Sequence, residues 1–441
     1  MRQVGKYTTR FGRSAANLPR WPLALPLLGY LVSWLSGIGN IIWTLSAIIM
    51  LAILLRVRRI RFPRGFGIWL LFLMWACFSI VMVGSPDRAL GAAYRMILFF
   101  SATIIALYVF NSRQSLTPRY VSGVLTGFLA IITAGGYLAM AVPLFEFNTP
   151  LSYLIPNGLA QNELVSEMVV IHATQWNPNA WIATTPRPSA PFLYTNTWGN
   201  VYSLLLPVAV AYLIAVWNEK RRRWMVLAII VASIPPAVST LNRGMYIGLL
   251  VVAFWCAIQA LRNGRGIQVL LCVTALSGLV AIWLMSPASK NLFNRLEVTN
   301  SSEDRSSLYV ATFTKVLESP LFGFGAPRPA AEAWLPSLGT QGQFWTVLFS
   351  YGFVGASLFL GFFLYAFLRG TSRIDMLGTV WGGLVLATIV ESFYYGMMTG
   401  INISLIAAVM LVRPEPAESN RPDLPRKTHP RSAIRRQAAS K

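Results

Sequence analysis

Stretches of about 18–25 mostly apolar residues recur along this 441-residue chain, divided by short segments rich in Arg and Lys. A helix of about 20 apolar residues crosses the hydrocarbon core of a bilayer, and a backbone in hydrocarbon must satisfy its own N–H and C=O groups. The pattern therefore predicts an all-α polytopic membrane protein. Twelve blocks are read, at roughly 21–37, 39–55, 66–84, 90–110, 120–143, 194–217, 224–240, 243–261, 267–285, 343–367, 376–395 and 398–412. Only 12% of residues are charged, against about 25% in soluble domains, which excludes an ordinary soluble enzyme. The 25 Phe, 16 Tyr and 15 Trp exclude a disordered chain.

A net charge of +22 raises nucleic acid as a partner, and the placement of the charge argues against it. With a cytoplasmic N-terminus, 28 of the 37 Lys and Arg fall on the inner segments and nine of the 15 acids on the outer ones. That is the positive-inside asymmetry. Some basic residues, such as Arg56 to Arg64, are also placed to touch anionic headgroups. The organisation read is a basic cytoplasmic segment 1–20, a membrane domain 21–412 and a basic, Pro-rich cytoplasmic tail 413–441 of disordered composition. The N-terminal region reads as an uncleaved anchor, since a second block follows at once. Cys77, Cys256 and Cys272 all fall in blocks, so no external disulfide framework is expected.

Two outer segments are long, about 144–193 and 286–342. Loops beyond about 15 residues need a reason. Their aromatics, among them Tyr153, Trp176, Trp181 and Trp334, predict ordered caps. The second contains a helix expected from about Asp304 to Glu318, with Ser301 and Asp304 resembling a capping box. Leu308, Thr312 and Val316 beside Tyr309, Phe313 and Leu317 put an apolar stripe on it, and Pro320 ends it.

Candidate functional residues are mostly arginines. Arg305 opens the loop helix, where a cation opposes the helix dipole; it serves either an anion site or an ion pair with Glu303 or Asp304. Arg243 stands at an outer mouth after Pro235 and Pro236, where a kinked or broken backbone is expected, and serves as an anion ligand or a headgroup anchor. Arg95 and Glu391 are ionisable groups inside blocks at similar depth, which suggests a structural ion pair; the sharper alternative has Arg95 lining an anionic pocket. His172 is the lone outer histidine and reads as solvated. No Ser/His/Asp arrangement, metal-spaced His/Cys cluster or phosphate-cradling Gly loop is present in the sequence.

The segment from Arg305 through Pro320-Leu-Phe-Gly323-Phe-Gly325 resembles a loop signature of the O-antigen ligase and Wzy-like polysaccharide polymerase superfamily. Gly352-Phe-Val-Gly355, Asn242-Arg243-Gly244 and the stretch from Arg187-Pro-Ser-Ala-Pro191 to Asn196 are similar to further motifs of that family. Together they span residues 187 to 355. The resemblance implies a GT-C-like glycosyltransferase with about twelve membrane helices in a bacterial plasma membrane. It implies work on the extracytoplasmic face without a metal or other cofactor. It implies a glycan donor on undecaprenyl pyrophosphate, a glycan or lipid acceptor, and no nucleic acid. The family's two functional arginines fall on Arg243 and Arg305, with Arg95, Arg187, Gln341 and Trp334 as substrate-binding candidates. Gln341 stands where the family commonly has His, and an amide cannot accept a proton, so a His base does not carry over. Glu303, Asp304 and Glu391 are the remaining candidate bases. The rival class is a transporter or flippase, which twelve blocks and intramembrane charges suit and the long loops and absent repeat symmetry oppose.

Overall fold

The computed structural model describes residues 18–57, 59–156, 158, 162–176, 185–267, 270, 301–330 and 336–413. The tail beyond Arg413, most of 1–20, most of the 267–285 block with Cys272, residues 286–300, Trp181 and Trp334 lie outside them.

Helices dominate. The first apolar block is divided at Gly29 into α1 (Trp21–Leu28) and α2 (Tyr30–Leu35), and α3 (Ile42–Leu54) and α4 (Phe66–Ser79) follow. Then come α5 (Pro86–Asn111) and α6 (Pro118–Ala141), each opened by a proline whose missing N–H costs nothing in a first turn. Thr117 caps α6 by accepting from the Tyr120 amide at 3.2 Å. After a short α7 (Glu163–Val169) the chain continues through α8 (Thr195–Ala215), α9 (Lys220–Ser239) and α10 (Arg243–Arg262). The series ends with the loop helix α11 (Ser301–Val316), then α12 (Gln343–Gly370), α13 (Met376–Glu391) and α14 (Gly400–Val412). Six of these are long and apolar enough to cross a membrane: Arg88–Asn111 within α5, and α6, α8, α9, α10 and α12. Ile42–Leu54, Phe66–Met82, Met376–Glu391 and Gly400–Val412 are apolar but shorter.

The bundle packs closely where side chains are small. On α13, a Cβ added at Gly382 would lie 2.9 Å from Trp255 Nε1, and one at Gly383 would lie 2.9 Å from Val252 Cγ1, so side chains of α10 pack directly on the α13 backbone. Likewise α6 packs on α8, α4 on α12 and α5 on α14.

The expected break after Pro235 and Pro236 is absent: α9 runs through both to Ser239. Both prolines sit in its last turns, and the Ser239 hydroxyl donates to the Pro235 carbonyl at 2.9 Å. The break falls instead in α12, at Gly352 (φ 68°, ψ −172°). There the loop motif after α11 takes over the helix's own hydrogen bonds. The Phe324 and Gly325 amides donate to the Phe349 and Ser350 carbonyls at 2.9 and 2.8 Å, while the Phe353 amide donates to Pro320 at 2.8 Å. Trp75 Nε1 donates to the Leu321 and Tyr351 carbonyls at 3.1 and 3.0 Å. Non-helical backbone at this depth is tolerable because protein groups satisfy it.

The two long segments share one end of the bundle, called the loop face below. In the first, β1 (Glu146–Asn148) pairs antiparallel with β2 (Val170–His172), and β3 (Thr174–Gln175) with β4 (Arg187–Pro188). In the second, α11 spans Ser301–Val316, starting ahead of the expected Asp304, and the side chains of the expected capping pair Ser301 and Asp304 lie outside the described set. Leu308, Thr312 and Val316 are buried, as the stripe predicts, whereas Phe313 and Leu317 are exposed.

Candidate functional site

A cavity of about 420 Å³ opens at the loop face between α5, α8, the start of α12 and the turn joining α13 to α14. From α5 it receives Gly91, Tyr94 and Arg95, and from the start of α8 it receives Asn196 and Thr197. Gln341, Gln343 and Thr346 line it around the first turn of α12, and Tyr394 and Met397 line it from the turn. The chain folds locally to hold these groups. The Gln343 amide donates to the Tyr395 carbonyl at 2.6 Å, its side-chain oxygen accepts from the Met397 amide at 3.1 Å, and Phe344 donates to Ser392 at 2.8 Å. The start of α12 and the Ser392–Thr399 turn are thereby one unit.

Arg95 and Gln341, both expected to bind substrate, lie in this lining. Arg95 is half-buried, and its electrostatic neighbours are the phenols Tyr351 and Tyr94. The expected Arg95–Glu391 ion pair is not formed. Glu391 is fully buried and accepts from Asn200 Nδ2 of α8 at 2.5 Å, while its other oxygen presses on Gly248 of α10. Arg95 lines the cavity from α5, whereas Glu391 is enclosed against Asn200 of α8 and Gly248 of α10. Sealed in this way and outside the cavity lining, Glu391 is removed as a candidate base. The side chains of Glu303 and Asp304 lie outside the described set.

Arg243 and Arg305 do not line the cavity. The backbone next to Arg243 packs on the Tyr394–Tyr395 pair at Gly244. Arg305 acts electrostatically on Tyr309 and Tyr395. Burial pushes the Tyr309 phenol above its ordinary range and the Arg305 charge pulls it back. Tyr309 stacks on Trp345 with centroids 4.5 Å apart, and its hydroxyl donates to the Phe393 carbonyl at 3.3 Å. Arg243 is exposed at the first residue of α10. Its neighbours anchor it: the Tyr395 hydroxyl donates to Asn242 Oδ1, Asn242 Nδ2 donates to the Thr195 carbonyl at 3.2 Å, and the Tyr394 hydroxyl donates to the Gly244 carbonyl at 3.2 Å.

Arg187 sits in β4 opposite Gln175, outside the cavity, whereas Gln175 does line it, as does Asn196 at the start of α8. His172 is exposed opposite Glu146, with Nδ1 3.8 Å from Glu146 Oε2. Sequence reasoning missed Arg88, Gln343 and the tyrosine pair, and read Asn242 only as part of the Asn242-Arg243-Gly244 motif. Arg88 clasps the loop motif: Nε donates to Pro327 and Nη2 to Phe324, both at 2.9 Å, and further bonds go to Val83 and Ala326. A cation just after a helix-opening proline was a usable signal, by the same dipole argument applied to Arg305.

The chain matches no protein-family profile and no curated protein. Any family assignment therefore stands on the motifs and the geometry alone.

Proposed function

We propose that this chain is a membrane glycosyltransferase of the O-antigen ligase or polysaccharide polymerase type, moving a glycan from undecaprenyl pyrophosphate to an acceptor hydroxyl. The observation that carries the reading is the loop-face cavity itself. It offers one cation, several amides and hydroxyls and the rings of Tyr94, Tyr194 and Tyr394, while Arg305 acts on Tyr395 from outside the lining and Arg243 opens the helix whose Gly244 packs on the same tyrosine pair. Amides with aromatic faces suit sugar rings, and arginines suit phosphate. In this reading the chain has about twelve spans in a GT-C-like arrangement, the loop face is extracytoplasmic, and both termini are cytoplasmic.

No nucleotide sugar is supplied outside the cytoplasm, so activation travels on the lipid. The acceptor oxygen attacks the anomeric carbon, the bond to the pyrophosphate oxygen breaks, and the lipid pyrophosphate leaves with the electron pair as the acceptor's proton passes to solvent. Negative charge grows on the leaving group, where Arg243 and Arg305 stabilise the transition state more than the ground state. The break at Gly352 supports the reading by fixing the start of α12, and with it Gln341 and Gln343, against the loop that follows α11.

The test uses purified protein in detergent, supplied with the undecaprenyl-pyrophosphate oligosaccharide pool of its own host. Gel and mass analysis should show longer glycans, or glycan on a new acceptor, with the intact protein. Arg305→Ala should lower the rate about 10²–10³-fold, the effect of removing one preorganised donor. Movement of the same lipid across a liposome bilayer without transfer would establish the flippase alternative instead.

A further inference from the structure

We infer that the loop-face cavity selects a sugar bearing a carboxylate, which Arg95 reads. The inference rests on the transferase reading and names the substrate class of its glycan.

Three observations carry it. First, the charge in the cavity is single and unbalanced. Among the described residues Arg95 has no hydrogen-bond or ion-pair partner, and no carboxylate lines the cavity. Glu167 reaches the rim only through Tyr194, whose hydroxyl donates to it. A guanidinium withdrawn from water without an anion is costly, so the site is complete only when a ligand supplies the anion. Second, the cationic groups divide into two subsites. Arg243 and Arg305 lie outside the lining, Arg305 within electrostatic reach of Tyr395 and Arg243 next to the Gly244 that packs on the Tyr394–Tyr395 pair, where they suit a pyrophosphate that spreads its charge over several oxygens. Arg95 is alone, and one planar fork matches one carboxylate in a bidentate pair. Third, the rest of the lining is neutral: Gln175, Asn196, Gln341, Gln343, Thr197 and Thr346 provide donors and acceptors for hydroxyls. A cavity built for a polyphosphate would carry several cations; one built for a neutral sugar has no need of a half-buried arginine in its lining.

The test compares two ligands that differ only in charge. Oligosaccharide released from the host's lipid-linked pool is used native, or with its carboxyls reduced to primary alcohols by carbodiimide and borohydride. Binding to the full chain in detergent is followed by tryptophan fluorescence, with inorganic pyrophosphate as a competitor. Native glycan should bind about ten- to a hundredfold more tightly than reduced glycan, the value of one charge-assisted contact. Arg95→Gln should erase that difference, Arg95→Lys should restore part of it, and Arg305→Gln should leave it unchanged while weakening pyrophosphate. Three results overturn the inference: a pool without carboxylates, equal binding of both glycans, or pyrophosphate binding lost in Arg95→Gln but kept in Arg305→Gln. Transfer is scored separately. Equal transfer of native and reduced glycan removes the carboxylate and keeps the transferase. Discriminating binding without any transfer keeps the carboxylate subsite and removes the transferase.

Discussion

The Phe353 amide donates to the Pro320 carbonyl at 2.8 Å, a bond that replaces the one a continuous helix would make to Phe349. The replacement depends on Gly352, whose φ of 68° and ψ of −172° place it in a region that only glycine enters readily. A Cβ there would lie 2.2 Å from the Leu321 carbonyl oxygen and 2.5 Å from that of Pro320, both backbone atoms with little room to move. Gly352→Ala should therefore lower stability by about 1–3 kcal/mol from backbone strain alone. Gly361→Ala, in the regular part of the same helix with 4.0 Å to its nearest neighbour, should be close to neutral. Thermal unfolding in detergent compares the two; equal midpoints would refute the strain argument.

Arg88 acts on the same junction from α5. Its guanidinium donates to four carbonyls, those of Val83, Phe324, Ala326 and Pro327. One ammonium cannot reproduce that spread, so Arg88→Lys should behave nearly as badly as Arg88→Gln, each losing on the order of 2–3 kcal/mol. Protease cleavage within 320–330 should rise in both. A fully stable Arg88→Lys protein would show that only the charge matters.

Much of this architecture is legible locally. Apolar length is a property of each block by itself, so the helices and the buried stripe of Leu308, Thr312 and Val316 follow from sequence. Relations between blocks do not follow. Depth along a helix comes from counting residues, but rotation about its axis comes from packing, and that is why Arg95 and Glu391 were paired on paper and have different surroundings in the fold. The prolines of α9 suggested a break because proline is the familiar breaker, yet α12 breaks at a glycine whose conformation only a partner loop can stabilise. The two motifs Gly323-Phe-Gly325 and Gly352-Phe-Val-Gly355 read as separate family marks in sequence and prove to be two sides of one hydrogen-bonded seam. The paired strands are two or three residues long, too short for any alternation to show.

Glu391 is fully buried, and one of its carboxylate oxygens accepts from the Asn200 amide. What such a site requires is a hydrogen-bond acceptor of this shape, and charge adds only desolvation cost. Glu391→Gln should insert and unfold like the natural protein, whereas Glu391→Ala should cost about 1–3 kcal/mol by leaving Asn200 unsatisfied. The comparison is made by detergent unfolding. Loss of fold in the Gln variant would mean that the charge itself is needed.

Asp375 caps α13 by accepting from the Gly378 amide at 2.8 Å, and it receives two bonds from Arg373, each 2.8 Å. Burial alone would push its carboxyl up, but the Arg373 fork and the capping amide outweigh it and hold the group below its ordinary range. With the folded value depressed, the contribution is complete above the unfolded value of about 3.9 and is lost as pH falls through the folded one. Stability from this site should therefore be flat from neutral pH to about 5 and decline below about 4. Asp375→Asn keeps a capping side chain, loses the charged fork and should flatten the acid limb of the unfolding curve.

The last prediction concerns Tyr395, whose hydroxyl donates to Asn242 Oδ1 while Asn242 in turn holds the Thr195 carbonyl. This chain of bonds joins the cavity's turn to the residue just before Arg243, so it sets where that arginine stands without entering the lining. Tyr395→Phe removes one hydroxyl from a buried, paired position, and the loss of one such bond corresponds to about a tenfold effect on rate or affinity. In the transferase reading the fall should appear in kcat, because Arg243 acts on charge that develops during the reaction. Arg243→Ala should be more damaging, and Tyr395→Phe added to Arg243→Ala should cost little more, since the tyrosine acts through the arginine. Full additivity of the two losses would place Tyr395 on a separate path to the site and sever the link between the tyrosine pair and Arg243.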